Sequence, residues 1–209
     1  MSNILKSIKK ILKRNKKVNY GYKHPNSYIS DDIILYKPEN LYMYERTTLQ
    51  YGAIIMNSRA KFIMKRYSGA AFGLRVITGN HMRLKGKMYK QVTDKMKDEK
   101  EIGKRYDKDI IVEEDAWIGS NVTLLRGAHI GRGCNIGSGS VIRGEVPPYS
   151  VVIGNPAKVV KFVFTPEEII EHEIALYPEE ERIPKEILEK NYNKYFLKRQ
   201  QEIKEFTRL

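Results

Sequence analysis

Hydrophobic positions in the second half of the chain recur every six residues. Val112, Ile118, Leu124, Ile130, Ile136, Ile142 and Pro148 form one series, and six of the seven are aliphatic. Four places after the first six stand Ala116, Val122, Ala128, Cys134, Ser140 and Val146. A helix repeats near 3.6 residues and a strand near 2, so neither explains a period of six. Short strands joined by tight turns do, if three of them close a triangular coil and coils stack about 4.8 Å apart. The aliphatic residue then points inward and stacks on its copy one coil later. The small residue fills the corner, and glycine supplies the positive φ of tight turns. The spacing predicts an all-β core built as a parallel β-helix, with two full coils over 112–148.

The pattern changes on either side. In residues 1–17, Ile4, Leu5, Ile8, Ile11 and Leu12 make one helical stripe, and seven Lys or Arg without an acid cover the rest. Residues 18–50 are rich in Tyr and Asn, with Pro25 and Pro38, and read as irregular segments and short strands. Together, 1–50 is an N-terminal helical leader. The β-helix is expected over 51–164, with Ile63, Gly69 and Val76-Ile77 near inward positions of its early coils. Residues 82–109 break the period and contain ten Lys or Arg. They read as an excursion loop, and long loops in compact domains are usually functional. Thr165-Pro166-Glu167-Glu168 is a capping box with proline at the first helical place. One helix is expected over 165–175 and a second over 184–206, so that 165–209 forms a cap of C-terminal α-helices.

Composition narrows the partners. A formal net charge of +13 draws anions such as phosphorylated cofactors or an anionic membrane face. No zinc-finger, RNP or helix-turn-helix spacing accompanies it, so nucleic acid is not expected. The segment 1–17 would rest weakly on a membrane or pack on its own protein, and the second reading weighs slightly more. The expected location is cytoplasmic, with a peripheral place at the inner membrane face open through that segment. No apolar run is long enough for a transmembrane helix, and the start lacks the features of a secretory signal. The single cysteine, Cys134, excludes an internal disulfide and reads as a packed thiol. No metal-ligand cluster and no nucleotide motif are present.

Trp117-Ile118-Gly119, Gly137-Ser138-Gly139-Ser140, Val146-Pro147-Pro148 and Gly154-Asn155-Pro156-Ala157-Lys158 carry a resemblance. The stretch is similar to the C-terminal half of the hexapeptide-repeat acyltransferases, in particular the sugar and xenobiotic O-acetyltransferase branch (galactoside, maltose and capsular polysaccharide acetyltransferases). It covers roughly 60–165. The resemblance implies a left-handed coil, a homotrimer, and acetyl-CoA as co-substrate in a groove between neighbouring subunits. Thr78-Gly79-Asn80-His81 is a second anchor, and it implies that His81 at the mouth of the excursion loop is the general base. Asn80 would orient that base or bind substrate, or simply serve the turn. Gly119 and the backbone N–H of Ser120 would face the thioester oxygen. Trp117 would line the pocket or pack on the outer face. Ser138 would meet the pantetheine arm through its backbone. Arg143, Lys158 and Lys161 would meet the CoA phosphates, unless they are ordinary solvated charges. One departure is Ile63-Met64-Lys65, which lacks the family's usual glycine.

Acetyl transfer to a hydroxyl needs a base near working pH, a donor for the oxyanion, and both substrates held together. It needs no covalent enzyme intermediate. The other histidines fit the base less well. His129 takes an outward turn place in the repeat, His172 lies on the acidic cap helix, and His24 lies in the leader. The reading is an acetyl-CoA-dependent O-acetyltransferase acting on a sugar hydroxyl in surface or capsular polysaccharide assembly. An antibiotic or amino-sugar N-acetyltransferase, or a non-catalytic scaffold, stands as the alternative. The acceptor is set by the leader, the loop and the neighbouring subunit.

Overall fold

The computed structural model describes residues 18–100 and 105–207. The expected basic helix at 1–17 lies outside them. The chain winds as a left-handed parallel β-helix of triangular coils. The first coil is β1 (Tyr22–Lys23), β2 (Tyr28–Ile29) and β3 (Ile34–Leu35). The second is β4 (Leu41–Met43), β5 (Thr48–Leu49) and β6 (Ile54–Met56), and the third is β7 (Phe62–Met64), β8 (Gly69–Ala70) and β9 (Arg75–Ile77). After the excursion come β10 (Ile110–Val112), β11 (Trp117–Ile118) and β12 (Thr123–Leu125). β13 (His129–Ile130), β14 (Asn135–Ile136) and β15 (Val141–Ile142) follow, then β16 (Glu145–Val146) and β17 (Ser150–Ile153). Every third strand pairs in parallel, giving three sheets.

The core is the inside of this prism. Leu49, Ala70, Ile118, Ile136 and Val152 stack along one sheet, and Ile55, Val76, Leu124 and Ile142 along another. The corner residues Ala116, Val122, Ala128, Cys134 and Ser140 are buried, as their small size requires. Five corners of left-handed backbone follow the same edge: Arg46, Tyr67, Asp115, Gly133 and Tyr149. Only one of the five is glycine, which is why glycine counts alone miss the early coils.

The structure differs from the sequence reading in four places. The coils begin at Tyr22, well inside the stretch expected to be a leader, because short Tyr-rich strands there pair in register with later ones. In the third coil Met64 and Ala70 point inward with Val76, while Ile63, Gly69 and Ile77 lie one place off, on the outer side. A one-residue slip exchanges the two faces of a strand. At the far end the phase shortens by two residues. Gly144, with φ +75°, turns the chain tightly, so Val146 and not Pro148 pairs with Ile130 and takes the strand position. Finally, β18 (Lys158–Phe162) folds back antiparallel on β17 and closes one exposed edge.

The cap follows. α1 (Asp94–Asp98) is a single turn inside the excursion. α2 (Pro166–Leu176) starts at Thr165, whose Oγ1 accepts from the Glu168 N–H, while Glu168 accepts the Thr165 N–H at 2.8 Å. Ile169 of α2 and Leu188 of α3 (Lys185–Tyr195) are buried in the core cluster. The expected helix over 184–206 is two elements, α3 and α4 (Gln200–Thr207). Phe196, at φ −123° and ψ −67°, breaks it by turning its ring onto Tyr192. No helix among the described residues is long and apolar enough to cross a membrane.

Candidate functional site

β9 ends at Ile77 and delivers Thr78, Gly79, Asn80 and His81 to one corner of the prism. Thr78 is buried and holds this corner to the stack: its carbonyl accepts from the Lys108 N–H at 2.9 Å. Gly79 is required by proximity. A Cβ there would lie 2.5 Å from Oδ1 of Asp107, on the returning arm of the loop. The Asn80 side chain accepts the N–H of His81 at 2.8 Å. Asn80 thus shapes the backbone at His81 and does not touch its ring.

His81 itself is exposed, with its ring edge-on to Tyr89 at 5.8 Å. It lines a cavity of about 310 Å³ with Tyr36, Met56, Ser58 and Asp94. A second cavity of about 390 Å³ shares Ile77, Gly79 and Asn80 and runs along the corner past Lys108, Arg126 and Arg143. Asn80 therefore stands between the two hollows, one holding an imidazole and one lined by cations.

Beneath them lies a charge network with no signal in the hydrophobic pattern. Lys97 of α1 has a buried side chain, and its Nζ donates to Asp107 at 2.8 Å and to the carbonyl of Asn80 at 3.0 Å. Arg59 donates to the other Asp107 oxygen at 2.9 Å and also contacts Asp98. These two carboxylates hold the Arg59 guanidinium charged, above its ordinary range.

The remaining expected residues fall elsewhere. Trp117 is half exposed on the outer side of β11, lying over Gly69. Gly119, Ser120 and Ser138 form the next corner. The Ser120 N–H, expected to meet a thioester oxygen, donates to Ser138 Oγ at 3.1 Å, so the Ser138 hydroxyl must swing away before an oxyanion can take its place. Arg143 and Lys158 come together in a cavity of about 170 Å³ that also includes Arg199, which the sequence did not point to. Glu202 pairs with both Arg199 and Lys158, and these two cations hold its carboxyl down, to about 2. Lys161 sits on β18 opposite Val151, away from that cavity's lining. The chain thus gathers Asn80, His81 and Arg143 along one edge, and Trp117, Gly119, Ser120 and Ser138 along another face and corner.

The other histidines do not line these hollows. His24 Nδ1 accepts from Asn26 N–H at 3.2 Å. His129 lies in strand β13 and not in a turn. Its Nε2 is 2.8 Å from Glu113 and its Nδ1 3.0 Å from Glu145, and the Glu113 bond first of all raises its pKa. His172 packs against Tyr149 and Phe164 and faces Asp115 at 4.0 Å. Cys134 is fully buried, its Sγ donating to the Pro147 carbonyl, and burial pushes its pKa to about 11, so it is no nucleophile. Among the described residues, no three His, Cys, Asp or Glu side chains cluster as metal ligands.

Residues 109–144 match the bacterial transferase hexapeptide pattern of six repeats. The match covers 36 of the chain's 209 residues, those of β10 to β15 and the turns between them. Two relatives match over short stretches. A chloramphenicol acetyltransferase of Klebsiella aerogenes is 48% identical over 59 residues, which is 28% of each chain. A putative lipopolysaccharide biosynthesis O-acetyl transferase of Escherichia coli is 42% identical over 52 residues, 25% of this chain and 26% of its own. The chain matches its curated relatives over about a sixth to a third of their length. In overall fold, the chain is similar to an acetyltransferase of Vibrio cholerae solved with acetyl coenzyme A. That likeness covers 76% of this chain and 85% of the other, with a TM-score of 0.58 and 17% identity.

Proposed function

We propose that this protein is an acetyl-CoA-dependent O-acetyltransferase that moves the acetyl group directly onto a hydroxyl of a sugar or similar small acceptor. The observation that carries the reading is the position of His81. It is an exposed imidazole on the rim of a hollow, at the point where the excursion leaves the repeat of a transferase-like coil. An imidazole has the pKa a general base needs at neutral pH. In this mechanism His81 takes the acceptor proton as the hydroxyl oxygen attacks the thioester carbon. The tetrahedral oxyanion is met by the Ser120 N–H, released by Ser138; the C–S bond then breaks, and the leaving sulfur takes the proton back from His81 to give the CoA thiol.

Ser120 and His81 sit on different edges of one protomer. This supports a homotrimer in which Trp117, Gly119, Ser120 and Ser138 of one copy face Asn80, His81 and Arg143 of the next. The acyl donor would run along the edge of Lys108, Arg126 and Arg143, with Arg143, Lys158 and Lys161 as the cations that suit its phosphates. The O-acetyl transferase relative supports a surface-polysaccharide acceptor; the chloramphenicol acetyltransferases support an antibiotic alcohol as the alternative. A cytoplasmic location completes the proposal.

The test is transfer of radiolabelled acetyl from acetyl-CoA to maltose, an amino sugar, chloramphenicol and serine, with His81→Ala beside the wild type. Loss of general-base catalysis should lower turnover roughly 10²–10⁴-fold, with acetyl-CoA affinity unchanged. A wild type that neither binds acetyl-CoA nor acetylates any of the panel overturns the enzyme reading in favour of a scaffold. A His81→Ala variant of normal rate assigns the base elsewhere.

A further inference from the structure

We infer that Lys97 is a positioning residue for His81, acting from inside the excursion loop. The inference rests on the acyltransferase reading above and adds a residue that neither the repeat pattern nor the relatives point to. Its ground is the peptide unit between Asn80 and His81. A peptide is planar, so fixing its oxygen and its nitrogen fixes the place of the next Cα and the axis of its N–Cα bond, leaving φ as the one backbone rotation between that plane and the next side chain. Here both atoms are held. The carbonyl oxygen of Asn80 accepts from Lys97 Nζ at 3.0 Å. The N–H of His81 donates to the Asn80 side chain at 2.8 Å.

The lysine is itself anchored. Its side chain is only 7% exposed, and Asp107, 12% exposed, accepts from it at 2.8 Å. Asp107 is bound in turn by Arg59, which projects from the coil body between β6 and β7. Gly79 allows the close approach, since a side chain there would collide with the Asp107 carboxylate. The chain entering the loop, the helix within it and the chain returning from it therefore meet at one ammonium group. Surface lysines are long, mobile and hydrated. Burying one at a carbonyl beside a candidate base makes physical sense if the geometry of that base matters.

Lys97→Met tests this, because Met keeps the length and the apolar stem while Asp107 stays paired with Arg59. Lys97→Arg is the conservative partner that can still donate to both oxygens. Histidine labelled with ¹³C at Cε1 gives one signal for each of the four imidazoles, and the His81→Ala spectrum assigns that of His81. In Lys97→Met the His81 signal should move or broaden while those of His24, His129 and His172 hold, and the melting temperature should stay within a few degrees. With the panel acceptor that the wild type uses, kcat should fall tenfold or more, with the KM for acetyl-CoA within twofold. Lys97→Arg should restore both the signal and the rate. An unmoved His81 signal in Lys97→Met overturns the inference. So does a general shift of all four signals with collapse of the melting transition in both variants, which would make Lys97 a residue of the fold alone. If the wild type acetylates no acceptor, the acyltransferase reading falls, and the clamp is judged on the imidazole signal.

Discussion

Gly119 shows how little room a corner of this prism leaves. A Cβ on it would lie 2.8 Å from the carbonyl oxygen of Ile136 and from the nitrogen of Ser138 on the next coil. Gly119→Ala therefore has to push two coils apart. Overpacking of this kind costs about 1–3 kcal/mol, and for a chain of this size each kcal/mol lowers the melting temperature by about 2–4 °C. A drop of that order in a thermal scan is expected; an unchanged transition would mean that the corner relaxes freely. The place of Gly119 and of the inward Ile118 was legible in the six-residue spacing. The bond from the Ser120 N–H to Ser138 was not, because it joins residues 18 apart whose meeting depends on coil register. Lys97, Asp107 and Arg59 were equally hidden. They lie in or beside a segment without periodicity, where only the folded chain brings three distant charges together.

At the level of elements, the repeat was readable where each coil reuses one inward position, and unreadable where bulky residues take its corners. Tyr22–Leu49 holds none of the glycines that mark the later coils, so its strands passed for a leader. The cap was foreseen from Thr165 and its capping box, but what fastens it was not. Glu173 of α2 is 2% exposed, and its carboxylate binds Arg132 at 2.8 Å, the Tyr149 hydroxyl and the Ile183 N–H at 2.9 Å. Arg132 lies on the coil body, its guanidinium 3.8 Å from the centre of the Tyr177 ring. Breaking a buried pair by removing one partner costs about 3–5 kcal/mol when the other charge is left without compensation; Glu114, 3.4 Å from Arg132, still compensates part of it, which sets the expected loss at the lower figure. Glu173→Ala should lower the unfolding free energy measured in urea by about 3 kcal/mol, a large share of a domain's typical stability of about 5–15 kcal/mol. A loss under about 1 kcal/mol would mean that apolar contacts such as Ile169 and Leu188 dock the cap without it.

For the whole molecule, one sheet carries a titrating clip across three coils: Glu113, His129 and Glu145. The His129 pKa is raised, and the same bond lowers that of Glu113. The histidine contribution is complete below about 6.5, where the unfolded chain is also protonated, and is lost as pH rises through the raised folded value. The Glu113 contribution is complete above about 4.3 and is lost as pH falls through its lowered value. The clip is therefore fullest between these limits. The melting temperature should fall from pH 6.5 to 8.5, and His129→Gln should flatten that fall; parallel profiles for the two proteins would discard the clip.

The excursion also bears on how such a chain assembles. Away from the excursion, side chains and backbone bonded between coils are 13 to 22 residues apart in sequence, whereas Lys61 and Asp109 meet across 48. The entropy lost on closing a chain segment grows only with the logarithm of its length, about 0.6 kcal/mol per doubling. Stepping over the excursion thus adds about 0.8 kcal/mol to the closure of that one coil. The stack hardly registers how long its insertion is, so the segment above the candidate base is free to change length and composition while the prism beneath it keeps its form.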